Sequence, residues 1–235
     1  YTTDDVPGAE NSLWRTEFWL RNNGSTPVTL APWTCDAQVC LPVHPVTRAL
    51  MPNENLKNLP VLPSVAPGNP GRLLYVQRTR ADQVSASLRL WDVSREATDA
   101  GTEVPVVRES DLHATTAHLT AVPLDGRFRL MLRVYEVLQR EARFRVRVYP
   151  FEEGIGATDP FMDFELVAST PEEGTFRVTP AYAQRADIES LLLNPVPRPR
   201  HLRIEVEPLT PGSFFWAFVS VTNNDTQRVT LVTPQ

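Results

Sequence analysis

Apolar and polar residues alternate along much of this chain. Within residues 127–136, every second side chain is apolar and arginines fill most of the positions between them. Residues 143–148 and 201–207 show the same period of two. Because successive side chains of a β-strand point to opposite faces, this period predicts strands with one buried face. The pattern therefore predicts antiparallel β-structure for most of the chain.

Turn-forming sequences, such as Asn-Asn-Gly-Ser at 22–25 and Asn-Asn-Asp at 223–225, separate the predicted strands. Further strands are predicted near residues 13–22, 26–31, 72–78, 84–93, 103–108, 116–123, 161–168, 174–179, 213–222 and 227–233. Only residues 181–193 have a plausible helical pattern, and residues 42–71 form a long proline-rich connection. These elements predict an all-β fold.

Composition agrees with this fold and limits the function. The 22 prolines among 235 residues disfavour helices, and the 42% of hydrophobic residues is enough for a large core. The net charge of −5 argues against nucleic acid as a partner. No apolar run is long enough to span a membrane as a helix. Lys57 is the single lysine, so almost all basic residues are arginines.

Two pairs of segments resemble each other within the chain. NNGSTPVTLA at 22–31 matches NNDTQRVTLV at 223–232, and each follows an aromatic strand. LRLWDV at 88–93 matches LRVYEV at 132–137. We therefore expect two Ig-like antiparallel β-sandwiches in tandem, over residues 1–113 and 114–235. The order of the matches indicates either that one half is circularly permuted or that the two terminal hairpins meet around a pseudo-twofold axis.

A family resemblance lies at the two chain ends. WRTEFWLRNNGSTPVTL, from Trp14 to Leu30, resembles the opening of secreted bacterial Ig-like β-sandwich proteins. FWAFVSVTNNDTQRVTLVTPQ, from Phe215 to Gln235, is similar to the C-terminus of uncharacterised exported bacterial proteins. The resemblance implies a β-sandwich at an extracellular or cell-surface location. It carries no catalytic motif, so no residue inherits a role from it.

Cys35 and Cys40 are the only cysteines and lie in the proline-rich loop of the first half. We expect a local disulfide between them, which fits an oxidising compartment and a secretion signal cleaved before Tyr1. A zinc site with His44 and two free thiols are the alternatives. Zinc is disfavoured because no second Cys/His pair lies nearby.

Enzyme motifs are absent from the sequence, so we expect a protein that is not an enzyme and has no cofactor or metal. A hydrolase without a recognisable motif stays an alternative, because catalytic residues can converge from distant segments. The histidines available to such a site are His44, His113, His118 and His201. Opposed carboxylates for a glycosidase are available at Asp159, Asp163 and Glu165, although these fit a solvated strand better. Calcium is a weaker possibility, with ligands from Asp4, Asp5, Asp92 or Asp99.

Arginines are concentrated on two consecutive predicted strands. If these strands form a hairpin across 137–142, their outward arginines cluster on one surface. This surface is either an anion site, for example for an acidic polysaccharide, or a set of cross-strand ion pairs. The candidate anion- or glycan-binding residues are Arg127, Arg129, Arg133, Arg143, Arg145 and Arg147.

Aromatic residues are concentrated in the first and last long strands, which are apolar on both sides. Burial between sheets or domains, a subunit interface and a sugar-stacking surface are the alternatives. The interface candidates are Tyr1, Trp14, Phe18, Trp19, Phe214, Trp216 and Phe218. The leading hypothesis is a non-catalytic exported structural or interaction protein that self-associates or joins a larger assembly through its terminal strands. An extracellular carbohydrate-binding module is the alternative.

Overall fold

The computed structural model describes residues 6–7, 11–35, 40–42, 48–57, 73–76, 78–95, 101–151, 159–169, 180–186, 188 and 199–235. These residues form two compact units. The first unit contains the described residues up to Val106, and the second contains those of Val107–Thr170 and Ala181–Gln235. The division follows Val106, a few residues before the predicted boundary.

The described residues of the first unit form nine strands in two sheets. One sheet has the order β1-β2-β8-β9, with β6 also paired to β2, and the other has β3 paired to β4, β5 and β7. The strands are β1 (Val6–Pro7), β2 (Leu13–Asn22), β3 (Val28–Cys35), β4 (Cys40–Pro42), β5 (Arg48–Leu50), β6 (Asn55–Lys57), β7 (Leu74–Val76), β8 (Val84–Asp92) and β9 (Thr102–Val104). Short 3₁₀ segments lie at Arg78–Gln83 and Val93–Arg95.

The second unit contains two four-stranded sheets. Their orders are β10-β15-β12-β13 and β14-β11-β16-β17, and every pairing is antiparallel. The strands are β10 (Ala117–Pro123), β11 (Phe128–Glu136), β12 (Ala142–Pro150), β13 (Met162–Ala168), β14 (Ala181–Ala186), β15 (His201–Pro208), β16 (Phe215–Asn223) and β17 (Val229–Val232). A 3₁₀ segment at Glu109–Asp111 precedes them.

Each unit has its own core, made by the side chains that its two sheets point toward each other. In the first unit, Leu20 and Val84 from one sheet are buried with Leu30 and Leu50 from the other. In the second unit the alternating apolar positions of β11 and β12 supply much of the core. The prediction of an all-β fold built from sandwiches is therefore confirmed.

Main-chain hydrogen bonds also link the two sheets of the second unit at their edges. Ser169, at the end of β13, exchanges two hydrogen bonds with Tyr182 of β14, each of 3.1 Å. On the opposite side, the Gln235 N–H donates to the His118 carbonyl at 3.2 Å. Paired edges are poor templates for the addition of a foreign strand.

The helix predicted over residues 181–193 is wrong for its first half. Ala181–Ala186 is strand β14 and pairs with Met131 to Glu136 of β11. Ala181 and Ala183 point into the core and are buried, so this pairing overrides the helical propensity of alanine. The predicted strand at 174–179 lies outside the described residues, as do residues 43–47 and 58–71 of the proline-rich connection predicted at 42–71. Within that connection the structure has the two short strands Arg48–Leu50 and Asn55–Lys57.

The two cysteines end the paired strands β3 and β4. Cys35 and Cys40 are direct Cα partners in this antiparallel pair. Directly opposed residues bring their Cα atoms within the range that a disulfide spans. The side chains of both cysteines, like His44 and Tyr1, lie outside the described part of the structure, so the disulfide stays a prediction.

A three-stranded segment occurs once in each unit with the same register; we call it the repeated segment. In the first unit β2 pairs with β8 over nine residue pairs, from Trp14–Asp92 to Asn22–Val84. In the second unit β16 pairs with β11 over nine residue pairs, from Phe215–Glu136 to Asn223–Phe128. The third strand also agrees, because β6 pairs with the end of β2 as β17 pairs with the end of β16.

The Asn-Asn turns of the repeated segment share their hydrogen bonds. The side-chain oxygen of Asn22 accepts the N–H of Gly24, and that of Asn223 accepts the N–H of Asp225, both at 2.9 Å. Such an Asx turn ends each aromatic strand. The carbonyls of the same asparagines accept the N–H groups of Asn53 and Gln227, two non-glycine residues with positive φ.

The first of these turns is not the hairpin that the sequence predicts. Asn223 leads directly into β17, which pairs with β16, so that hairpin is confirmed. Asn22 instead leads into β3, which lies in the other sheet, and the chain returns to β2 only at β6. In the first unit, β3 to β5 are therefore inserted between two strands that are adjacent in the second.

Strand order distinguishes the two copies of the repeated segment. The first unit runs from the aromatic strand β2 through β6 to β8, which ends in an acidic residue. The second starts with the acidic strand β11 and continues with the aromatic strand β16 and β17. One order is a cyclic shift of the other, as expected for circularly permuted copies.

Candidate interaction face

The six candidate arginines do not form one surface. Strands β11 and β12 lie in different sheets, so the hairpin expected across 137–142 is wrong. The turn after β11 passes from one sheet to the other, and Glu136, at its start, is fully buried. Arg127, Arg129 and Arg133 therefore belong to one sheet, and Arg143, Arg145 and Arg147 to the other.

The arginines on the sheet of β12 are largely paired with acids. Arg147 lies 2.8 Å from Glu207, and Arg145 lies 3.5 Å from Asp163. Arg203 of β15 adds a contact of 3.5 Å to Glu205. Alternation and register place four arginines and four acids on the outward face of β12, β13 and β15, so this face is balanced in charge. These pairs agree with the cross-strand interpretation of the arginines.

The other sheet of the second unit carries a different outward face, meaning the face turned away from that unit's core. We call it the arginine–aromatic face. Arg129 and Arg133 are its only charged side chains at the outward strand positions, and no acid stands among those positions. The outward positions hold Arg129, Met131, Arg133, Tyr135, Tyr182, Gln184, Ala186, Trp216, Phe218, Ser220, Thr222, Val229 and Leu231.

Four aromatic rings form a row across this face. Trp216 and Phe218 have ring centroids 4.8 Å apart, and Phe218 and Tyr135 lie 5.9 Å apart with planes inclined by only 11°. Tyr182 continues the row 6.5 Å from Tyr135. Only the Phe218–Tyr135 pair is stacked, whereas the other two pairs are tilted, and Phe218 is only 5% exposed. Such a row offers little of the open ring face on which a sugar stacks.

Arg133 is held against this row. Its guanidinium lies 5.9 Å from the Phe218 ring centroid, a cation–π distance. Burial raises the pKa of Tyr135 above its usual value, and the hydrogen bond with Arg133 reduces this effect without cancelling it. Arg129 bonds to the amide oxygen of Gln227 at 2.7 Å. Arg127 differs, because it binds the carboxylate of Asp125 and lowers the pKa of that acid to about 2.

The structure separates the seven interface candidates into three groups. Tyr1 lies outside the described residues. Trp14 and Phe18 have the same parity as the buried Leu20 and so face the core of the first unit, whereas Trp19 faces outward and is 42% exposed. Phe214 precedes β16, while Trp216 and Phe218 stand on the arginine–aromatic face.

The first unit presents the equivalent outward face with different chemistry. Arg89 and Trp91 occupy the positions that Arg133 and Tyr135 have in the second unit. Here Glu17 and Glu103 are the direct cross-strand partners of Arg89, so carboxylates are part of the face. Lys57 lies 2.5 Å from Glu17 and 5.2 Å from the centroid of the exposed Trp19 ring.

Two buried carboxylates at the ends of β8 and β11 have a structural role that the sequence did not lead us to expect, although Asp92 was a candidate calcium ligand. Asp92 is 1% exposed and accepts the N–H groups of Leu13 and Ser94. Glu136 occupies the equivalent position, is 0% exposed and accepts hydrogen bonds from the Arg140 and Phe214 N–H groups. In both units the carboxylate therefore holds the beginning of the aromatic strand. The sequence contains a sign of this shared role, because LRLWDV at 88–93 and LRVYEV at 132–137 carry an acid at the same position.

We expect the two carboxylates to respond to acid in opposite directions. Burial raises the pKa of Asp92, but the hydrogen bonds from Ser94 and Leu13 and the charge of Arg95 outweigh it, and the net pKa is lowered. Stability from Asp92 is thus lost as the pH falls through that lowered pKa. For Glu136, burial raises the pKa, and the hydrogen bonds that it accepts do not fully offset this rise. The folded protein therefore gains stability as the pH falls from above the raised pKa toward about 4.5, because protonation removes an unfavourable buried charge.

Urea unfolding from neutral pH to below pH 4 tests this expectation. The Glu136→Gln variant should lose the gain in unfolding free energy that the wild type shows on mild acidification. The Asp92→Asn variant should show a smaller loss in stronger acid. Equal pH dependence of the wild type and both variants would contradict the assignment.

The residues considered for catalysis and calcium binding do not converge where the structure describes them. His113 bonds through its backbone to Phe215, His118 lies 3.7 Å from Glu205, and His201 is exposed. Asp163 pairs with arginines, and Asp92 is occupied as above. Within the described ranges there is no group of three or more His, Cys, Asp or Glu side chains suited to a metal ion. The same ranges contain no helix long and apolar enough to cross a membrane.

Comparison of the chain with protein-family models, curated proteins and solved structures finds no match.

Proposed function

We propose that this chain is a non-catalytic structural or interaction protein, exported to the cell surface or the extracellular space as a subunit of a larger assembly. The observation that carries the proposal is the outward display of large aromatic side chains by two central strands. Trp19 stands on β2 and is 42% exposed, and Trp216 stands half-buried on β16 beside Phe218, which is only 5% exposed. Tryptophan, tyrosine and arginine dominate the binding energy of protein interfaces.

Association through these strands uses sheet faces rather than strand exchange. β2 is flanked by β8 on one side and by β1 and β6 on the other, and β16 is flanked by β11 and β17. One edge of each strand is therefore paired along nine residues, and the other edge is paired at residues 13–14 and 19–21 of β2 and at residues 215 and 219–222 of β16. The links from Ser169 to Tyr182 and from Gln235 to His118 support the same conclusion for the edges of the second unit. The terminal strands thus contribute side chains, and their backbones stay within their own sheets.

Light scattering behind a sizing column, over a range of concentrations, tests the proposal. We expect a particle heavier than the 26.4 kDa of one chain. The Trp19→Ser variant should weaken association about thirtyfold, because truncation of an interface hot spot costs about 2 kcal/mol or more. Serine suits this position, since Ser220 occupies the equivalent place in the second unit.

Val167→Ser is the matched control. Val167 is 44% exposed on the edge strand β13, so the substitution removes a similarly exposed apolar side chain from another part of the surface. We expect its particle mass to equal that of the wild type. A mass of one chain at every concentration would contradict self-association, and equal losses in both variants would show that Trp19 has no specific role.

A further inference from the structure

Charge is segregated between the two outward faces of the second unit. The face of β12, β13 and β15 carries acids and arginines in equal number, and contacts among them are between 2.8 and 4.0 Å. The arginine–aromatic face has Arg129 and Arg133 and no acid at its strand positions. This is notable in a chain with 28 acidic residues and a net charge of −5. The surplus of carboxylates thus lies elsewhere.

The charged groups of this face, Arg129 and Arg133, are hydrogen-bond donors, whereas its hydroxyl and amide side chains both donate and accept. Among the described residues Arg133 has no carboxylate partner, and the buried Nε of its guanidinium makes no hydrogen bond. Its described contacts are the Phe218 ring and the phenol of Tyr135. Trp216 carries an indole N–H donor on the same face, and the phenol of Tyr135, which bonds to Arg133, can donate as well as accept. A surface with these properties is complementary to carboxylates and carbonyl oxygens.

We propose that the arginine–aromatic face binds an acidic polypeptide segment, whose carboxylates pair with Arg133 and Arg129 while its chain lies beside the half-buried Trp216. The inference deepens the proposed function by naming the chemistry of the partner. A polypeptide fits better than an acidic polysaccharide, because Phe218 is only 5% exposed and stacks on Tyr135, which leaves little open ring face for a sugar. Arginine and aromatic residues are typical of protein interfaces.

The equivalent face of the first unit provides an internal comparison. Arg89 takes the place of Arg133 but stands directly opposite Glu17 and Glu103. The first unit thus supplies from its own strands the carboxylates that an acidic partner would bring to Arg133. We therefore assign binding of the acidic segment to the second unit alone.

The test is a titration of the full-length chain into a fluorescent, short poly-glutamate peptide at neutral pH, followed by anisotropy. We expect saturable binding at about 0.05 M salt that weakens strongly at about 0.5 M salt, because screening shortens the range of charge attraction. Arg133→Gln should weaken binding about tenfold, as expected for loss of a charge-assisted hydrogen bond. Arg89→Gln should leave binding unchanged.

Arg145→Gln is the matched control, because it removes one arginine charge from the balanced face of the same unit. Tyr135→Phe keeps the ring row and tests the phenol alone. Circular dichroism of each variant checks that the fold is retained.

Absence of peptide binding would overturn the inference, as would equal losses for Arg133→Gln and Arg145→Gln. Equally tight, Arg133-dependent binding of polygalacturonate would overturn the assignment to a polypeptide. These results are independent of the particle mass: a chain that self-associates without binding the peptide refutes only this inference, and a monomer that binds the peptide refutes only self-association.

Discussion

Replacing Phe144 with alanine is expected to lower the free energy of unfolding of the second unit by about 3–5 kcal/mol. Phe144 lies on β12, is 0% exposed and packs against the ring of Phe215, with centroids 4.9 Å apart. These two residues come from opposite sheets of the sandwich, so the substitution leaves a cavity between the sheets. Loss of transfer free energy and the residual cavity both contribute.

Urea unfolding followed by far-ultraviolet circular dichroism measures this loss. Two compact units can unfold in two transitions, and the variant should shift only one of them. Val167→Ala, at a 44% exposed position on β13, should change the unfolding free energy by no more than about 0.5 kcal/mol. A loss below about 1 kcal/mol for Phe144→Ala would place Phe144 outside a tightly packed core.

Replacing Asn22 with alanine is expected to destabilise the first unit by about 2–3 kcal/mol. The Asn22 amide is 0% exposed and donates to the carbonyls of Thr26 and Leu50 at 2.8 and 2.9 Å. Its oxygen accepts the N–H of Gly24. Alanine would leave the buried Leu50 carbonyl without this donor, and an unsatisfied buried group costs more than the average hydrogen bond gains.

The repeated segment provides the comparison for this experiment. Asn223 occupies the equivalent position but is only half-buried, and its side-chain oxygen accepts the N–H groups of Asp225 and Thr226. Water can replace those bonds, so Asn223→Ala should cost about 1 kcal/mol. Equal losses at the two positions would show that the Asx turn, rather than the buried contact with Leu50, carries the stabilisation.

The positions of the strands were predictable from sequence, whereas the pairing of one strand with another was less predictable. The segment predicted at 13–22 forms a strand with those bounds. This prediction succeeds because a period of two and flanking turn residues are properties of the segment itself. The pairing after Asn22 depends on Leu50 and Asn53, which are distant in sequence. Two matching Asn-Asn sequences therefore form the same local turn, yet one closes a hairpin and the other sends the chain to the opposite sheet.

For the arginine–aromatic face too, the sequence predicted the strands but not how they pair. Alternation correctly separated the outward arginines of β11 from its buried residues, but it could not show that β11 and β12 lie in different sheets. Arg133 and Arg147 looked alike in sequence. Only the register shows that Glu205 and Asp163 stand beside Arg147, while Phe218 and Gln184 stand beside Arg133.

The shifted strand order of the repeated segment has a consequence for how such a protein arises. Nine residue pairs, a buried acid and an Asx turn persist although the chain enters the two copies at different strands. A gene duplication whose breakpoints fall inside the ancestral coding region produces this order, because copying does not respect strand boundaries.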